Sequence, residues 1–258
     1  ITTRLVGSEM CIRDSSDHVY NTPRAWYMAR CLNPSTMNWD GPDADFTPLS
    51  DDIPWCMVPE KKVTIEDVKY VLSSHFQGTP YDPYASYGDK SMKGAYRAIG
   101  VNRTDFLGII QMRPDAGEDS RAIEWVAFAS NVFNTTAPFY TDVEKVPEYF
   151  SNTTGDASTD NFYWASRMIA AMADASYSKS IFHIERYQER VMSKGHEYIN
   201  QYDELLEKES NAEKRMQLRQ EANEKIADMV KKETQDTLNK VLYELSNQMK
   251  NAYSRSDA

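Results

Sequence analysis

The chain has 258 residues, with 39 acidic against 29 basic side chains, a formal charge of -10 and a mean hydropathy of -0.66. Affinity for nucleic acid comes mainly from Lys and Arg neutralising phosphates, so this balance argues against a nucleic-acid partner. No stretch approaches the ~18 uninterrupted apolar residues of a spanning helix, and the start shows no basic region followed by an apolar run, which argues against a membrane partner and a visible leader.

Leu5-Val-Gly-Ser-Glu-Met-Cys-Ile-Arg-Asp-Ser15 has neither a hydrophobic period nor turn chemistry. It resembles, codon for codon from Leu5 to Asp14, the translation of a transposase adapter used to build sequencing libraries. Residues 1–15 are therefore expected to be non-native, with Cys11 an artefact and the natural chain joined somewhere before Ser16. From Ser16 to about Glu60 the sequence is rich in Pro, Asn and Asp, as in Leu32-Asn-Pro-Ser and Ile53-Pro-Trp. Proline fixes its own φ and disfavours helix for its predecessor, so this stretch predicts extended connection with turns, broken by a short helical or extended piece around Ala25–Arg30. Thr64-Ile-Glu-Asp predicts a capping box opening a helix that ends near His75, where Gln77-Gly-Thr-Pro stops it.

Phe106–Met112 and Ile123–Ala129 predict an antiparallel pair, and a third extended run over Thr136–Val143 continues it as a meander. Beyond Asp160, Gly and Pro nearly vanish. Apolar residues at helical spacing predict helices from Phe162 to Ala175, from about Ile181 to Leu206, and from about Asn211 to Met249. The composition thus divides the chain into 1–15, an α+β part over 16–159 and a helical extension over 160–258.

Residues with catalytic chemistry are scarce. The four His (His18, His75, His183, His196) form no HExxH and no i, i+4 pair, and no GxSxG, GxxxxGK[ST] or GxGxxG occurs. Cys11, Cys31 and Cys56 are too few and too dispersed for a disulfide framework or a CxxC metal site, which fits a reducing, cytoplasmic compartment. Sequons at Asn102, Asn134 and Asn152 are about as many as chance supplies and say nothing of secretion. Cys31 could pair with His75 as nucleophile and base, although nothing in their flanks favours that over structural roles. The Met168/Met172 stripe and the carboxylate-dense helix after Tyr202 read as core packing and solvated face.

Longer motifs say more. Pro59 to Pro83, with His75-Phe-Gln-Gly-Thr-Pro-Tyr-Asp82 at its centre, resembles the "kkvtvedVm.llRdHyeGTpyD" segment of the PepD-type cysteine dipeptidases of the N-terminal-nucleophile hydrolase superfamily. Asn21-Thr-Pro-Arg-Ala-Trp-Tyr resembles that family's "R.W" segment, Leu32-Asn-Pro-Ser35 its "lnPs" turn, Ser130 to Tyr140 its "s.fn..vPfYa" strand, and Phe162-Tyr-Trp-Ala-Ser-Arg its "sawWafr" helix opening. The motifs keep the family's order, and the resemblance covers about Ser16 to Lys250.

The resemblance implies α+β architecture, specifically the C-terminal part of an αββα N-terminal-nucleophile sandwich followed by a long-helix extension. It also implies a dipeptidase whose mature N-terminal Cys supplies both thiol and amine base. This chain begins Ile1-Thr2-Thr3, so the nucleophile and the first sandwich strands are expected upstream, and the 258-residue chain alone is expected to be inactive. No cofactor or metal is implied. Dipeptides are the expected substrates, and the helical surface suits a homo-oligomer. Asn134, Arg24 and His75 lie on matched motifs and are the candidate substrate-side residues; a turn-satisfying Asn and a buried salt bridge or helix-end hydrogen bond are the structural alternatives. An amidase or acylase of the same superfamily, or a non-catalytic helical docking module, are the competing functions.

Overall fold

Helix α1 (Asp17–Tyr20) leads through one turn residue into α2 (Thr22–Leu32), in a computed structural model that describes residues 17–251. The adapter-like stretch, Cys11 included, lies outside the described residues. α2 is longer than the Pro-rich sequence predicts. Pro23 occupies the first turn of the helix, where its missing N–H would have no intrahelical acceptor and its fixed φ suits the helix. α3 (Ile65–Leu72) begins at the expected capping box: Asp67 N–H donates to Thr64 Oγ1 at 3.1 Å and Thr64 N–H to Asp67 Oδ2 at 3.0 Å.

Chain packing separates into two compact units, 1–101 and 102–258. In the first, α2 buries Trp26, Tyr27 and Ala29 with Trp39 and Phe76. Aromatic donors tie the connecting loops to this core. Trp26 Nε1–H donates to the Phe46 carbonyl at 3.0 Å, Trp39 Nε1–H to Asn33 at 2.8 Å, and the Tyr27 hydroxyl to Gln77 at 2.8 Å.

The second unit carries a three-stranded antiparallel meander in the order β1 (Phe106–Met112), β2 (Ala122–Phe128), β3 (Ala137–Tyr140), as the sequence predicts. Phe106 pairs with Phe128 and Met112 with Ala122; Ile123 pairs with Tyr140. Then come α4 (Glu148–Ser151), α5 (Phe162–Ala175), α6 (Tyr177–Lys208) and α7 (Ala212–Ser246). Asn161 and Asn211 cap α5 and α7, accepting from Trp164 N–H at 2.9 Å and Lys214 N–H at 3.0 Å.

The two sheet faces are covered differently. On one, Pro138 lies against Gly195 of α6, Trp125 stacks on His196 at 4.6 Å, and the Tyr140 hydroxyl donates to the carboxylate of Asp203 at 2.8 Å. On the other, Phe128 and Phe139 meet Phe150 of α4, and Phe128 also meets Phe162 of α5. The β1 end of that second face stays open, with Phe106, Ile110 and Met112 exposed at 55%, 69% and 61%. The outer edge of β3 is closed by α7, whose Asn223 accepts from Tyr140 N–H at 2.9 Å and donates to Tyr140 C=O at 3.0 Å, as a neighbouring strand would. No described helix is long and apolar enough to cross a membrane.

Candidate functional site

The His75–Asp82 segment is a closed loop rather than a helix end. α3 stops at Leu72, earlier than His75, and Ser73 caps it. Phe76 takes φ +66° and Gly78 φ +77°. For Phe this left-handed conformation costs about 1 kcal/mol, and burial of its ring against Tyr27 at 5.4 Å holds it there. The reversal lets Thr79 Oγ1 donate to Phe76 C=O at 2.7 Å and brings Asp82 back to His75. His75 Nδ1 and Asp82 Oδ1 are 2.9 Å apart, both residues are buried, and the same carboxylate oxygen accepts from Tyr84 N–H at 2.9 Å. Tyr84 stacks edge-on to the imidazole. Such a pair fixes the orientation of the imidazole, a prerequisite for any proton transfer by it. The same contacts also lock the loop.

Arg24, on the first turn of α2, is half-buried, and its Nε is buried with no hydrogen-bond partner. Burial first, and Arg97 second, pull the Arg24 guanidinium below the ordinary arginine value. Cys31 faces Tyr27 and Arg30, whereas His75 faces Asp82, so these two do not form the thiol–imidazole pair that the sequence left open. Burial pushes the Cys31 thiol up to about 11, which leaves little thiolate at neutral pH. Cys56 is exposed.

Asn134 lies in the second unit, at the entry to β3, and is 1% exposed. Its Nδ2 donates to Phe128 C=O at 2.6 Å and Ala129 C=O at 3.0 Å, while Gln188 of α6 donates to the Asn134 carbonyl at 2.8 Å. The side chain thereby secures the turn between β2 and β3. The next two residues, Thr135 and Thr136, are wholly buried, and each hydroxyl lacks a hydrogen-bond partner. Orphaned hydroxyls are costly and rare, so this polar run is an unusual lining for a core.

A second feature of this unit has no signal in the sequence. An open cleft of about 620 Å³ is lined by Glu118, Asp119, Ala122, Thr141, Asp142 and Arg215. Asp119 pairs with Arg215 and, behind it, with Arg219, which also holds Asp142. Hydrogen bonding from Arg215 holds the Asp119 carboxyl below its usual range. The network ties the β1–β2 connection to α7, and its paired charges make it a brace.

Comparison with known proteins adds the family. The profile described as Peptidase family C69 matches residues 9–190. A "Dipeptidase" of Bifidobacterium longum is 44% identical over 279 residues, covering 94% of this chain and 52% of that protein. A "Probable dipeptidase A" of Streptococcus pyogenes is 44% identical over 245 residues, covering 95% of this chain and 49% of its own length. The "Dipeptidase A" of Lactobacillus helveticus is 31% identical over 228 residues, with 88% and 46% covered. The chain spans about half the length of the curated relatives it matches.

Proposed function

The chain belongs to peptidase family C69, and from that premise we propose that it is part of a hydrolase that cleaves dipeptides by thiol chemistry. The carrying observation is the family match together with relatives that bear the name dipeptidase. The nucleophile we assign is an N-terminal Cys outside these 258 residues. In such a residue the α-amine, with an ordinary pKa near 8, takes the thiol proton; the thiolate adds to the peptide carbonyl, the C–N bond breaks as the α-ammonium returns that proton to the leaving amine, and water, giving a proton to the α-amine, cleaves the thioester and restores the thiol. Two observations support placing it outside. The Cys31 thiol is half-buried and held near 11, and the relatives extend over about twice the matched length.

The same reading gives the open face of β1 a purpose. Phe106, Ile110 and Met112 form an apolar strip of the kind a second sheet covers in an αββα sandwich. The buried polar run from Asn134 to Thr136 is the substrate-side lining we favour on the second unit. Cytoplasmic location, homo-oligomerisation through the long helices, independence from metals and the compositional division at residues 15 and 159 complete the proposal.

The test is hydrolysis of a dipeptide panel, with an N-acyl amide beside it, by the product of the complete reading frame that carries this segment and by the 258-residue chain. Thiol-sensitive dipeptide turnover by the former and none by the latter is the expected result. Turnover by the 258-residue chain that Cys31→Ala abolishes would overturn the assignment of the nucleophile. Exclusive cleavage of the acyl amide would favour an acylase.

A further inference from the structure

The three-stranded sheet has two edges, and the chain closes one of them. At β3, Asn223 of α7 bonds both main-chain groups of Tyr140 as a strand would. At β1 the bonds that flank the β1–β2 ladder come from odd-numbered residues: Asp105 C=O accepts from Ala129 N–H at 3.0 Å, and Arg113 N–H donates to Arg121 C=O at 2.8 Å. Pairing runs between them without a bulge. Leu107, Ile109 and Gln111 therefore bond β2, and the N–H and C=O groups of Phe106, Gly108, Ile110 and Met112 point out from the edge. Among the described residues none of these outward groups meets a partner. Proteins usually guard such an edge with charge, proline or a bulge. β1 reads Phe-Leu-Gly-Ile-Ile-Gln-Met and has none of the three.

We propose that this edge pairs with the same edge of a second copy, antiparallel and centred on Ile109, so that two meanders join into one sheet. The strand itself sets the register. Outward groups meet outward groups only where even residues oppose even ones, and centring on Ile109 engages all of them. Phe106 then opposes Met112 of the second copy, and Gly108 opposes its Ile110. The ring of Phe106 already lies over Gly108, where an added Cβ would be 3.1 Å from Cε1, so the incoming Ile110 packs against an aromatic face. Just beyond the strand, Asp105 comes opposite Arg113 of the second copy at both ends, each held in its own chain by Arg167 and Asp203 respectively. Opposite charges thus meet across the two-fold axis. Each copy offers one such edge among its described residues, because Asn223 occupies the other. Pairing therefore closes at two copies instead of growing into a fibre. The contact uses the edge of β1 and leaves its open face to a covering sheet; it is separate from any contact through the long helices, and it holds whatever reaction the complete protein catalyses.

Sedimentation velocity of the 258-residue chain across the micromolar range, together with oxidative trapping of Ile109→Cys in a chain whose own cysteines are replaced by serine, tests this. In the proposed register the two 109 positions lie about 4.5 Å apart on the two-fold axis, within reach of a disulfide. Leu107→Cys would face Gln111 of the second copy and should cross-link at least about tenfold more slowly. The parent chain should show a concentration-dependent dimer and nothing larger. Ile110→Lys places a charge on the edge, and Ile110→Pro removes an outward N–H while sparing the β1–β2 ladder; each should abolish the dimer and leave the circular dichroism of the monomer unchanged. Tyr243→Lys, on the exposed side of α7, should keep the dimer. A monomer at every concentration, open-ended aggregation, equal trapping at 107 and 109, or a dimer that survives Ile110→Lys and is lost in Tyr243→Lys would each overturn the edge pairing.

Discussion

Replacing Lys69 by Met should stabilise the first unit, and by an amount that depends on pH. Lys69 lies on α3 at 4% exposure, with Nζ donating to Ser73 Oγ at 2.7 Å. Burial pulls its amine from 10.5 down to about 7. At about 1.4 kcal/mol per tenfold change in proton affinity, a lysine so placed costs the folded state about 4–5 kcal/mol at neutral pH relative to the solvated unfolded chain. Methionine keeps the length and flexibility of the side chain without the amine. The half-buried Ser73 hydroxyl gives up one donor, a loss of about 1 kcal/mol, so the net gain is about 3–4 kcal/mol at pH 7.

The sign of the pH dependence follows from the same shift. Between about 7 and 10.5 the unfolded chain keeps the Lys69 proton that the folded chain releases, so raising the pH favours folding of the parent protein. Below about 7 both states hold the proton and this dependence disappears. The advantage of Lys69→Met should therefore shrink by about 1.4 kcal/mol for each pH unit from 7 to 9. Urea titrations at pH 7, 8 and 9, read by pulsed hydrogen exchange in peptides spanning residues 65–72, measure the gap. A variant less stable than the parent at pH 7, or a gap unchanged with pH, would refute the reasoning.

Gly195→Ala should destabilise the second unit by about 1–3 kcal/mol even though alanine is the better helix former, because its Cβ would lie 2.7 Å from Pro138 Cδ and 2.8 Å from Cγ. A melting temperature at or above that of the parent would show that α6 and β3 can part without cost. Asn223→Leu removes both bonds from α7 to the main chain of Tyr140 and leaves a buried N–H and C=O unpaired, for an expected loss of about 2–4 kcal/mol in urea unfolding. A loss below about 0.5 kcal/mol would mean that water or a shift of β3 replaces them.

Local chemistry wrote much of this fold into the sequence. The capping box at Thr64, the short β-type runs Phe106–Met112 and Ile123–Ala129 with loop residues between them, and the helical spacing after Asp160 each act over a few residues, so each is legible without knowing the partner. Element ends were less legible. Pro23 reads as a helix breaker until the helix is seen to start at Thr22 and to place the proline in its first turn. Asp82 was legible only as a letter of the motif around His75, because its role depends on the left-handed turn at Phe76 that folds it back. Other pairings leave no local trace. Asn223 meets Tyr140 across 83 residues and Arg219 meets Asp119 across 100, while the Arg97 N–H reaches back to the Val19 carbonyl. Spacing reports which residues share a helix or strand face. Which distant charge or amide lies opposite that face is decided when elements pack, because only then is water removed and each polar group left paired, as at Asn223, or unpaired, as at Arg24.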